Sequence, residues 1–353
     1  MMKKETVLVV KEKLAVAESS LIERDGHAIL DQFGRTFDYL RIAVNEKCNL
    51  RCIYCMPEEG VDFTPDENLL KADEIIRIIN IVAKFGVKKL RFTGGEPLLN
   101  KDIVYLISNS VIVPGIESVH LTTNGLLLEK YAVALSEAGL HGINISLDTL
   151  NHQKFYEITR RDKLDLVLDA LQIALKLPFN SVKINVVVMR NFNHTEIGDF
   201  VELTKDNLLT VRFIELMPFD AHQIWRTGKF FGADKIVEEL KTIYLNLTQI
   251  SGSSTEHYVY QLPGYKGKFG VIPSFTRNIC QNCNRIRLTA DGKIRNCLYS
   301  DHEFNLRKLI RDRCSDEEIG QLLKNAMWQK LKDGYEAQNH SDHHRESMTQ
   351  IGG

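Results

Sequence analysis

The chain has 353 residues, of which 44% are hydrophobic and 26% are charged, and Lys+Arg (45) almost balances Asp+Glu (46). This length suits one large domain with an extension, or two domains. A net charge of −1 gives no support to general nucleic-acid binding, because nucleic-acid binders are usually basic. No apolar run is long enough for a membrane-spanning helix, and the N-terminus lacks the apolar core of a signal peptide, so we expect a cytoplasmic protein.

From about residue 37 to 218, short apolar runs alternate with segments of helical periodicity. The predicted strands are 38–44, 88–94, 118–124, 142–148, 181–189 and 210–217. The predicted helices between them are 71–86, 101–109, 128–139, 163–177 and 194–207. This alternation predicts an α/β fold with a parallel sheet, either open or closed as a barrel, with its sites at the C-terminal ends of the strands.

After about residue 219 the alternation stops. Helices are predicted at 234–241, 304–312 and 316–332, and short strands and turns over 257–300. We therefore predict three parts, which are an N-terminal extension over 1–33, a strand–helix domain over 34–218 and a C-terminal region over 219–353.

Six of the seven cysteines form two groups of three, and Cys314 is left over. In a cytosolic chain, clustered cysteines more often bind metal than form disulfides. Cys48, Cys52 and Cys55, the first cysteine triad, have the spacing C-x₃-C-x₂-C at the end of the first predicted strand. Three thiolates can hold three corners of a [4Fe–4S] cluster and leave the fourth iron open. For the triad alone, a zinc site or a redox-active pair remains the alternative.

The segment TGGEPL at 93–98 follows the second predicted strand. Its glycines allow the backbone to approach a ligand, and its carbonyls and Glu96 can receive an ammonium group. Together with the first triad, this segment resembles the S-adenosylmethionine (SAM) site of radical SAM enzymes. In that family the open iron chelates SAM, and an electron from the cluster cleaves SAM to a 5′-deoxyadenosyl radical.

Cys280, Cys283 and Cys297, the second cysteine triad, have the spacing C-x₂-C-x₁₃-C. Alone, this pattern resembles a zinc ribbon with one ligand missing, and His302 lies near in sequence. Beside the first triad, the pattern favours a second three-cysteine [4Fe–4S] cluster whose open iron can bind a heteroatom of the substrate.

Arg285 and Arg287 are two residues apart, so they share one face if the segment is a strand. Two planar guanidinium groups on one face suit a triphosphate, although a solvated strand face is the alternative. Arg91 alternates with Leu90 and Phe92, so it faces away from the apolar side of its strand.

The segments RFIELMP (212–218), CNRIRLTADGK (283–293) and the terminal QIGG narrow the resemblance to the GTP 3′,8-cyclase family of radical SAM enzymes. Similar segments run from residue 34 to the C-terminus. Ile279 and AVNEKC (43–48) depart from the usual family pattern, but neither departure changes a presumed ligand.

The family resemblance implies an incomplete (β/α)₆ barrel whose mouth is crossed by a C-terminal region with the second cluster. In this family, the radical takes a hydrogen from the ribose C3′ of GTP, and the C3′ radical attacks C8 of guanine. The product, (8S)-3′,8-cyclo-7,8-dihydroguanosine 5′-triphosphate, begins molybdenum cofactor biosynthesis.

The resemblance also implies site residues and partners. The implied GTP contacts are Arg41, Arg91, Thr122, Lys183, Arg285, the backbone of Ile286, and Arg287. The implied SAM contacts are Tyr54, Gly95, Ser146 and Met217. Lys89 and Arg212 are further basic candidates, or they only balance local charge. The implied partners are an unidentified electron donor, a downstream cyclic pyranopterin monophosphate synthase and a second copy of the chain, with no nucleic acid and no membrane.

The C-terminal Gly352 and Gly353 allow two interpretations. In the first interpretation they form a frayed end, as final residues commonly do. Alternatively, the thinnest possible backbone enters a narrow radical cavity, and the family resemblance implies that this tail is needed for chemistry. We predict the second interpretation, in which the tail enters the cavity and both glycines are catalytic residues.

Two other functions stay open. One is a radical SAM peptide- or protein-modifying enzyme with an auxiliary cluster, although such enzymes usually have more C-terminal cysteines. The other is a zinc- or cluster-bearing module for RNA binding or electron transfer, which the charge balance and TGGEPL disfavour.

Overall fold

The computed structural model describes residues 28–218, 227–251, 258–276, 279–341 and 347–351. In this part of the chain, the strands form a 12-stranded sheet. The strands are β1 (Tyr39–Ala43), β2 (Lys89–Thr93), β3 (Ser118–Thr123), β4 (Gly142–Ser146), β5 (Ser181–Val188), β6 (Leu209–Glu215), β7 (Thr248–Ile250), β8 (Tyr258–Gln261), β9 (Lys268–Ile272), β10 (Arg285–Leu288), β11 (Lys293–Arg295) and β12 (Glu303–Asn305).

Ten α-helices accompany the sheet in the described part of the chain. They are α1 (Ala72–Lys84), α2 (Ile103–Val111), α3 (Leu128–Glu137), α4 (His152–Thr159), α5 (Leu164–Lys176), α6 (Ile197–Glu202), α7 (Ala233–Ile243), α8 (Leu306–Arg311), α9 (Asp316–Trp328) and α10 (Gly334–Asn339). Helix α1 shows why they form, because its apolar side chains recur at Ile75, Ile78, Ile79 and Val82 and all of them are buried.

The strand order of the sheet is β12-β11-β10-β1-β2-β3-β4-β5-β6-β9-β8-β7. Strands β1 to β6 run parallel to one another in chain order. Two strands of the C-terminal region extend this parallel set, because β10 pairs parallel with β1 and β9 pairs parallel with β6. The remaining strands pair antiparallel at the two ends. The predicted incomplete parallel α/β barrel is confirmed, and the C-terminal region lengthens it on both sides.

All six predicted strands of the barrel are present, with ends that differ by at most two residues from the prediction. In β3 and β5 buried and half-buried residues alternate, so one face of each strand packs in the core and the other faces the cavity. The helices predicted over 71–86, 128–139 and 163–177 are also present, slightly shortened at their ends.

Several helix predictions were wrong in extent. The predicted helix 194–207 is a 3₁₀ turn (His194–Glu196) followed by the short helix α6. The predicted helix 304–312 begins only at Leu306, because the residues before it form β12 and Asn305 caps the helix by accepting a hydrogen bond from the Lys308 amide. The predicted helix 316–332 ends at Trp328.

Helix α4 was missed altogether. Asn151 caps its N-terminus by accepting a hydrogen bond from the amide of Lys154, and Phe155 and Ile158 form its buried face. A helix of eight residues offers only about two turns of periodicity, which explains why the pattern was not recognised.

The predicted N-terminal extension 1–33 falls mostly on residues outside the described ranges. Of its described part, Ile29 is fully buried in the main core and Leu30 forms a β-bridge with Thr36. In the described part of the chain, no helix is both long and apolar enough to cross a membrane.

Candidate active site

The register of the parallel strands places basic side chains in rows on one face of the sheet. Arg41 on β1 is directly opposite Arg91 on β2 and Arg287 on β10. Two residues earlier, Tyr39 is opposite Lys89 and Arg285 in the same way. Because side chains alternate between faces with a period of two, both rows face the same side.

These rows form part of the wall of a cavity of about 440 Å³. All six cysteines of the two triads line it, and so do the four predicted SAM contacts. Every predicted GTP contact lines it except Ile286, whose side chain is fully buried in the core on the other face of β10. Lys89 and Arg212 also line the cavity. The structure thus brings the predicted site residues together, and their individual roles stay predictions.

The first cysteine triad lies on the loop after β1, and helix α4 holds this loop in place. The amides of Arg51 and Ile53 donate hydrogen bonds to carbonyls at the end of α4, those of Thr159 (3.0 Å) and Ile158 (2.9 Å). Within the loop, the amide of Cys55 donates to the carbonyl of Cys52 at 2.9 Å. The cysteine loop therefore depends on a helix whose sequence signal is weak.

The three cysteines of this triad are half-buried. Burial and the neighbouring thiols raise the pKa of Cys52 well above its usual range and that of Cys55 to about 12. Since thiolates are the ligands of iron, binding of a cluster must release protons from these thiols.

The Gly-Gly turn after β2 packs directly on the residues that precede Cys48. The amide of Gly95 donates to the carbonyl of Asn45 at 3.0 Å. A Cβ atom at Gly95 would lie 2.2 Å from the carbonyl oxygen of Lys47, and one at Gly94 would lie 2.4 Å from that of Asn45. Glycine is required here because backbone meets backbone. The two sequence motifs of the SAM site are therefore in contact.

Glu96 follows β2 as predicted, but it is not among the residues that line the cavity. Its carboxylate is fully buried and accepts hydrogen bonds from the Thr123 hydroxyl (2.7 Å), the Asn124 amide (2.7 Å) and the Leu98 amide (3.0 Å). Burial raises the pKa of Glu96 to about 7. The prediction that this carboxylate receives an ammonium group is not supported, because its oxygens already have donors within the protein.

Tyr54, in the first cysteine loop, pairs with Asp148 at the end of β4. The Tyr54 hydroxyl donates to Asp148 Oδ2 at 2.5 Å, and the amide of Val187 donates to Asp148 Oδ1 at 2.7 Å. Burial raises the pKa of Asp148 to about 6. Sequence analysis missed Asp148, although it follows Ser146 closely and lies at the C-terminal end of a predicted strand, where site residues are expected.

The second cysteine triad lies beside the cations of β10, because Cys283 precedes Arg285 by two residues and β10 begins at Arg285. Arg35 supports it from outside, because Nη1 donates to the carbonyls of Cys280 (3.0 Å) and Lys332 (2.8 Å). The same guanidinium forms an ion pair with Asp31 at 2.5 Å. Sequence analysis missed this anchor, because Arg35 is 245 positions from Cys280.

The donor sets of both triads fit an iron–sulfur cluster. Each offers three thiols to the cavity, and Cys314 lies elsewhere, beside Arg77 of α1, where its carbonyl accepts a hydrogen bond at 2.6 Å. Three cysteines hold three irons of a cubane and leave one iron open. In the ranges that the structure describes, no three His, Cys, Asp or Glu side chains are arranged to hold a single metal ion.

The basic wall fits an anion. Burial and the charge of Arg287 lower the pKa of Arg41 well below its usual range. The buried Nε of Arg41 has no hydrogen-bond partner among the described residues. A buried donor without a partner is costly, so a ligand acceptor at this position would be strongly favoured.

The end of the chain returns to the first cysteine loop. The Ser347 hydroxyl donates to the carbonyl of Cys55 at 2.9 Å, and Met348 and Thr349 line the cavity. The predicted catalytic residues Gly352 and Gly353 lie outside the described residues.

Comparison with known proteins adds to this geometry. A family model for the radical SAM superfamily matches residues 42–204, and one for Molybdenum Cofactor Synthesis C matches residues 209–336. The chain is 46% identical to a GTP 3′,8-cyclase of Chlorobaculum tepidum over 325 residues, which cover 92% of this chain and 97% of the relative. It is 41% identical to a GTP 3′,8-cyclase of Alkaliphilus metalliredigens, over 92% of this chain and 99% of the relative.

Among solved structures, Streptococcus suis SuiB is similar with a TM-score of 0.58 at 15% identity, over 85% of this chain and 72% of that protein. A likeness at this identity concerns the fold alone.

Proposed function

Because the chain belongs to the GTP 3′,8-cyclase family of radical SAM enzymes, we propose that its cavity converts GTP to (8S)-3′,8-cyclo-7,8-dihydroguanosine 5′-triphosphate. The enzyme takes GTP as substrate and uses SAM and an iron–sulfur cluster as cofactors. This reaction begins molybdenum cofactor biosynthesis. The peptide-modifying alternative is not favoured, since the relatives are named for the GTP reaction and for the molybdenum cofactor.

One observation carries the proposal. A single cavity is lined by both thiol triads and by rows of cations on β10, β1 and β2. Such a cavity can hold a polyanionic substrate between two cofactor sites, with the reacting carbon atoms away from bulk water. Water exclusion matters because a primary carbon radical reacts with almost any group that it meets.

The first triad would hold the cluster that binds SAM, and we propose that the second triad holds a second [4Fe–4S] cluster. When bound, the first cluster supplies the electron for SAM cleavage, and the second offers an open iron to the purine. The protein supplies position and electrostatics. Tyr54, Gly95, Ser146 and Met217 would contact SAM, since they line the cavity on the side of the first triad's loop and the strand ends that follow it.

The cations would hold the triphosphate. Arg285 and Arg287 share one face of β10, as predicted, and Arg41 and Arg91 continue that face on β1 and β2. Guanidinium groups offer planar forks of donors to phosphate oxygens. Thr122 and Lys183 lie on neighbouring strands and line the same cavity, and the Thr122 hydroxyl accepts a hydrogen bond from Arg91 at 3.3 Å.

Three assignments of partners rest on the resemblance, and they are a homodimer, an unidentified electron donor and a downstream cyclic pyranopterin monophosphate synthase. The cytoplasmic location, which we also propose, rests on the sequence composition. Light scattering of anaerobically purified protein tests the dimer, and a monomer at micromolar concentration would contradict it.

Anaerobic incubation with SAM, dithionite and each of the four nucleoside triphosphates tests the reaction. We expect 5′-deoxyadenosine and a cyclised nucleotide from GTP only. Reconstituted wild-type protein should contain about eight irons, at four per cubane. Zinc without iron would overturn the proposal.

Two variants separate the roles of the clusters. Cys48→Ala should abolish SAM cleavage and keep the second cluster. Cys283→Ala should keep uncoupled SAM cleavage and stop cyclisation. If Cys283→Ala cyclised GTP at the wild-type rate, the proposed role of the second cluster would be wrong.

A further inference from the structure

Lys330 follows the C-terminus of helix α9, and its ammonium group lies inside the molecule. The residue is 4% exposed, and Nζ donates a hydrogen bond to the backbone carbonyl of Asn296. Nζ also lies 5.9 Å from the centroid of the Phe37 ring. Among the described residues, no carboxylate forms an ion pair with it. A buried ammonium without a carboxylate is costly, so another negative group should balance its charge.

The second cysteine triad, whose thiolates would carry negative charge, is a source of such charge in the same cavity. Lys330 lines the same cavity as the three cysteines. Asn296, whose carbonyl it binds, immediately precedes Cys297, and the Asn296 side-chain amide donates to the carbonyl of Ala326 at 2.9 Å. Two hydrogen bonds therefore tie the backbone beside the third cysteine to the C-terminal end of α9.

An ammonium group held at this place favours negative charge on the sulfur atoms that line the same cavity.

We propose that Lys330 is a positioning residue of the second [4Fe–4S] cluster, whose ammonium fixes the Cys297 side of the site and raises the reduction potential of the cluster. This inference rests on the proposed second cluster. A cluster gains negative charge on reduction, so a fixed cation beside it stabilises the reduced form more than the oxidised form. Loss of the cation makes the cluster harder to reduce.

The test uses the full-length chain with Cys48, Cys52 and Cys55 replaced by Ala, so that only the second cluster can form. Lys330→Met removes the charge and keeps a long, unbranched side chain, whereas Lys330→Arg keeps the charge. Lys332→Met is the matched control, because Lys332 is an exposed lysine two positions further along the chain. Iron content and a redox titration followed by electron paramagnetic resonance are measured for each protein.

We expect Lys330→Met to bind iron and to shift the midpoint potential to more negative values. Lys330→Arg and Lys332→Met should stay close to the parent chain. Equal potentials for Lys330→Met and Lys332→Met would overturn the proposal.

Loss of iron is also decisive. If Lys330→Met lost its iron and Lys330→Arg kept it, the charge would be needed for assembly, as proposed. Loss of iron in both variants would indicate a packing role and overturn the proposal. A parent chain without iron would instead overturn the second cluster itself, and the role of Lys330 with it.

Discussion

Tyr39 is a tyrosine whose neighbours in the cavity wall are basic residues. Its neighbours in the register are Lys89 and Arg285, and its hydroxyl accepts a hydrogen bond from Arg91 Nε at 2.5 Å. Burial by itself would raise the pKa of Tyr39, but the charges of Arg91, Arg41, Arg285 and Lys89 together lower it to about 7. Above about pH 7 the ionised phenolate of Tyr39 therefore predominates and can balance the charge of these cations when no other anion is bound.

This place predicts that the affinity for GTP depends on pH through Tyr39. Above about pH 7 the phenolate competes with the triphosphate for the same cations, whereas below it the neutral phenol does not. A bound triphosphate raises the pKa of the phenol, so binding takes up a proton and weakens as the pH rises. The limit is about a tenfold loss of affinity per pH unit above the pKa.

Calorimetry of GTP binding between pH 6 and 8.5, with wild type and Tyr39→Phe, measures this effect. The terminal phosphate of GTP titrates in both proteins, so the ratio of the two dissociation constants is compared. The ratio of wild type to Tyr39→Phe should rise with pH above 7. A ratio that stays constant would show that Tyr39 does not titrate in the site.

At the scale of single residues, the sequence predicted side chains that line the cavity. It did not predict the residues that hold the backbone of the site in place. The cysteines of the two triads, Arg285 and Arg287 have short spacings in the sequence that indicate a chemical role. All of them line the cavity. Arg35 and Lys330 lack such a signal, because their significance comes from carbonyls of residues far away in the sequence.

At the level of secondary-structure elements, the strands themselves were easier to predict than the pairing between them. The apolar runs of β1 to β6 predicted a parallel sheet, and short strands were expected between 257 and 300. The sequence around β10 does not indicate that this strand pairs with β1. The pairing joins residues that are about 246 positions apart, such as Tyr39 and Arg285. That pairing is what adds Arg285 and Arg287 to the basic face.

The turn after β2 yields a prediction at this level. Gly95→Ala should displace the backbone at Glu46 and Lys47, because its Cβ would lie 2.5 Å and 2.2 Å from their carbonyl oxygens. Overpacking of this kind typically costs about 1–3 kcal/mol. Since this backbone leads into Cys48, we expect loss of iron from the first site and loss of SAM cleavage, with the second site intact.

Iron content and 5′-deoxyadenosine formation check this expectation, with Gly198→Ala as the control. A Cβ atom at Gly198 would meet its nearest neighbour, Ile243, at an ordinary contact distance of 3.6 Å. Full SAM cleavage by Gly95→Ala would mean that the cysteine loop adapts to the added methyl group.

At the level of the whole molecule, the site is assembled by segments from both ends of the chain. The first cysteine loop follows β1, the second triad surrounds β10 and β11, and residues 347–351 return to the first loop. Ile351 is buried, and the Gln350 side chain donates to the carbonyl of Asp62 at 3.3 Å. The last described residues are therefore fixed at the cavity, next to the position from which the two final glycines continue.

The fixed position of residues 347–351 supports a catalytic role for the tail over a frayed end. Ordering each further residue costs about 1–2 kcal/mol, and the basic wall can offset this cost by binding the C-terminal carboxylate. Two glycines carry no side chain that would clash in the cavity or offer the radical another target.

Deletion of Gly352 and Gly353 should therefore leave both clusters and the affinity for GTP nearly unchanged, while cyclisation falls by orders of magnitude. Iron counting, calorimetry and product analysis on the same preparation measure these three properties. Uncoupled 5′-deoxyadenosine should still form, which separates a missing tail from a damaged SAM site. Cyclisation at the full rate by the truncated enzyme would show instead that the chain beyond Ile351 is dispensable.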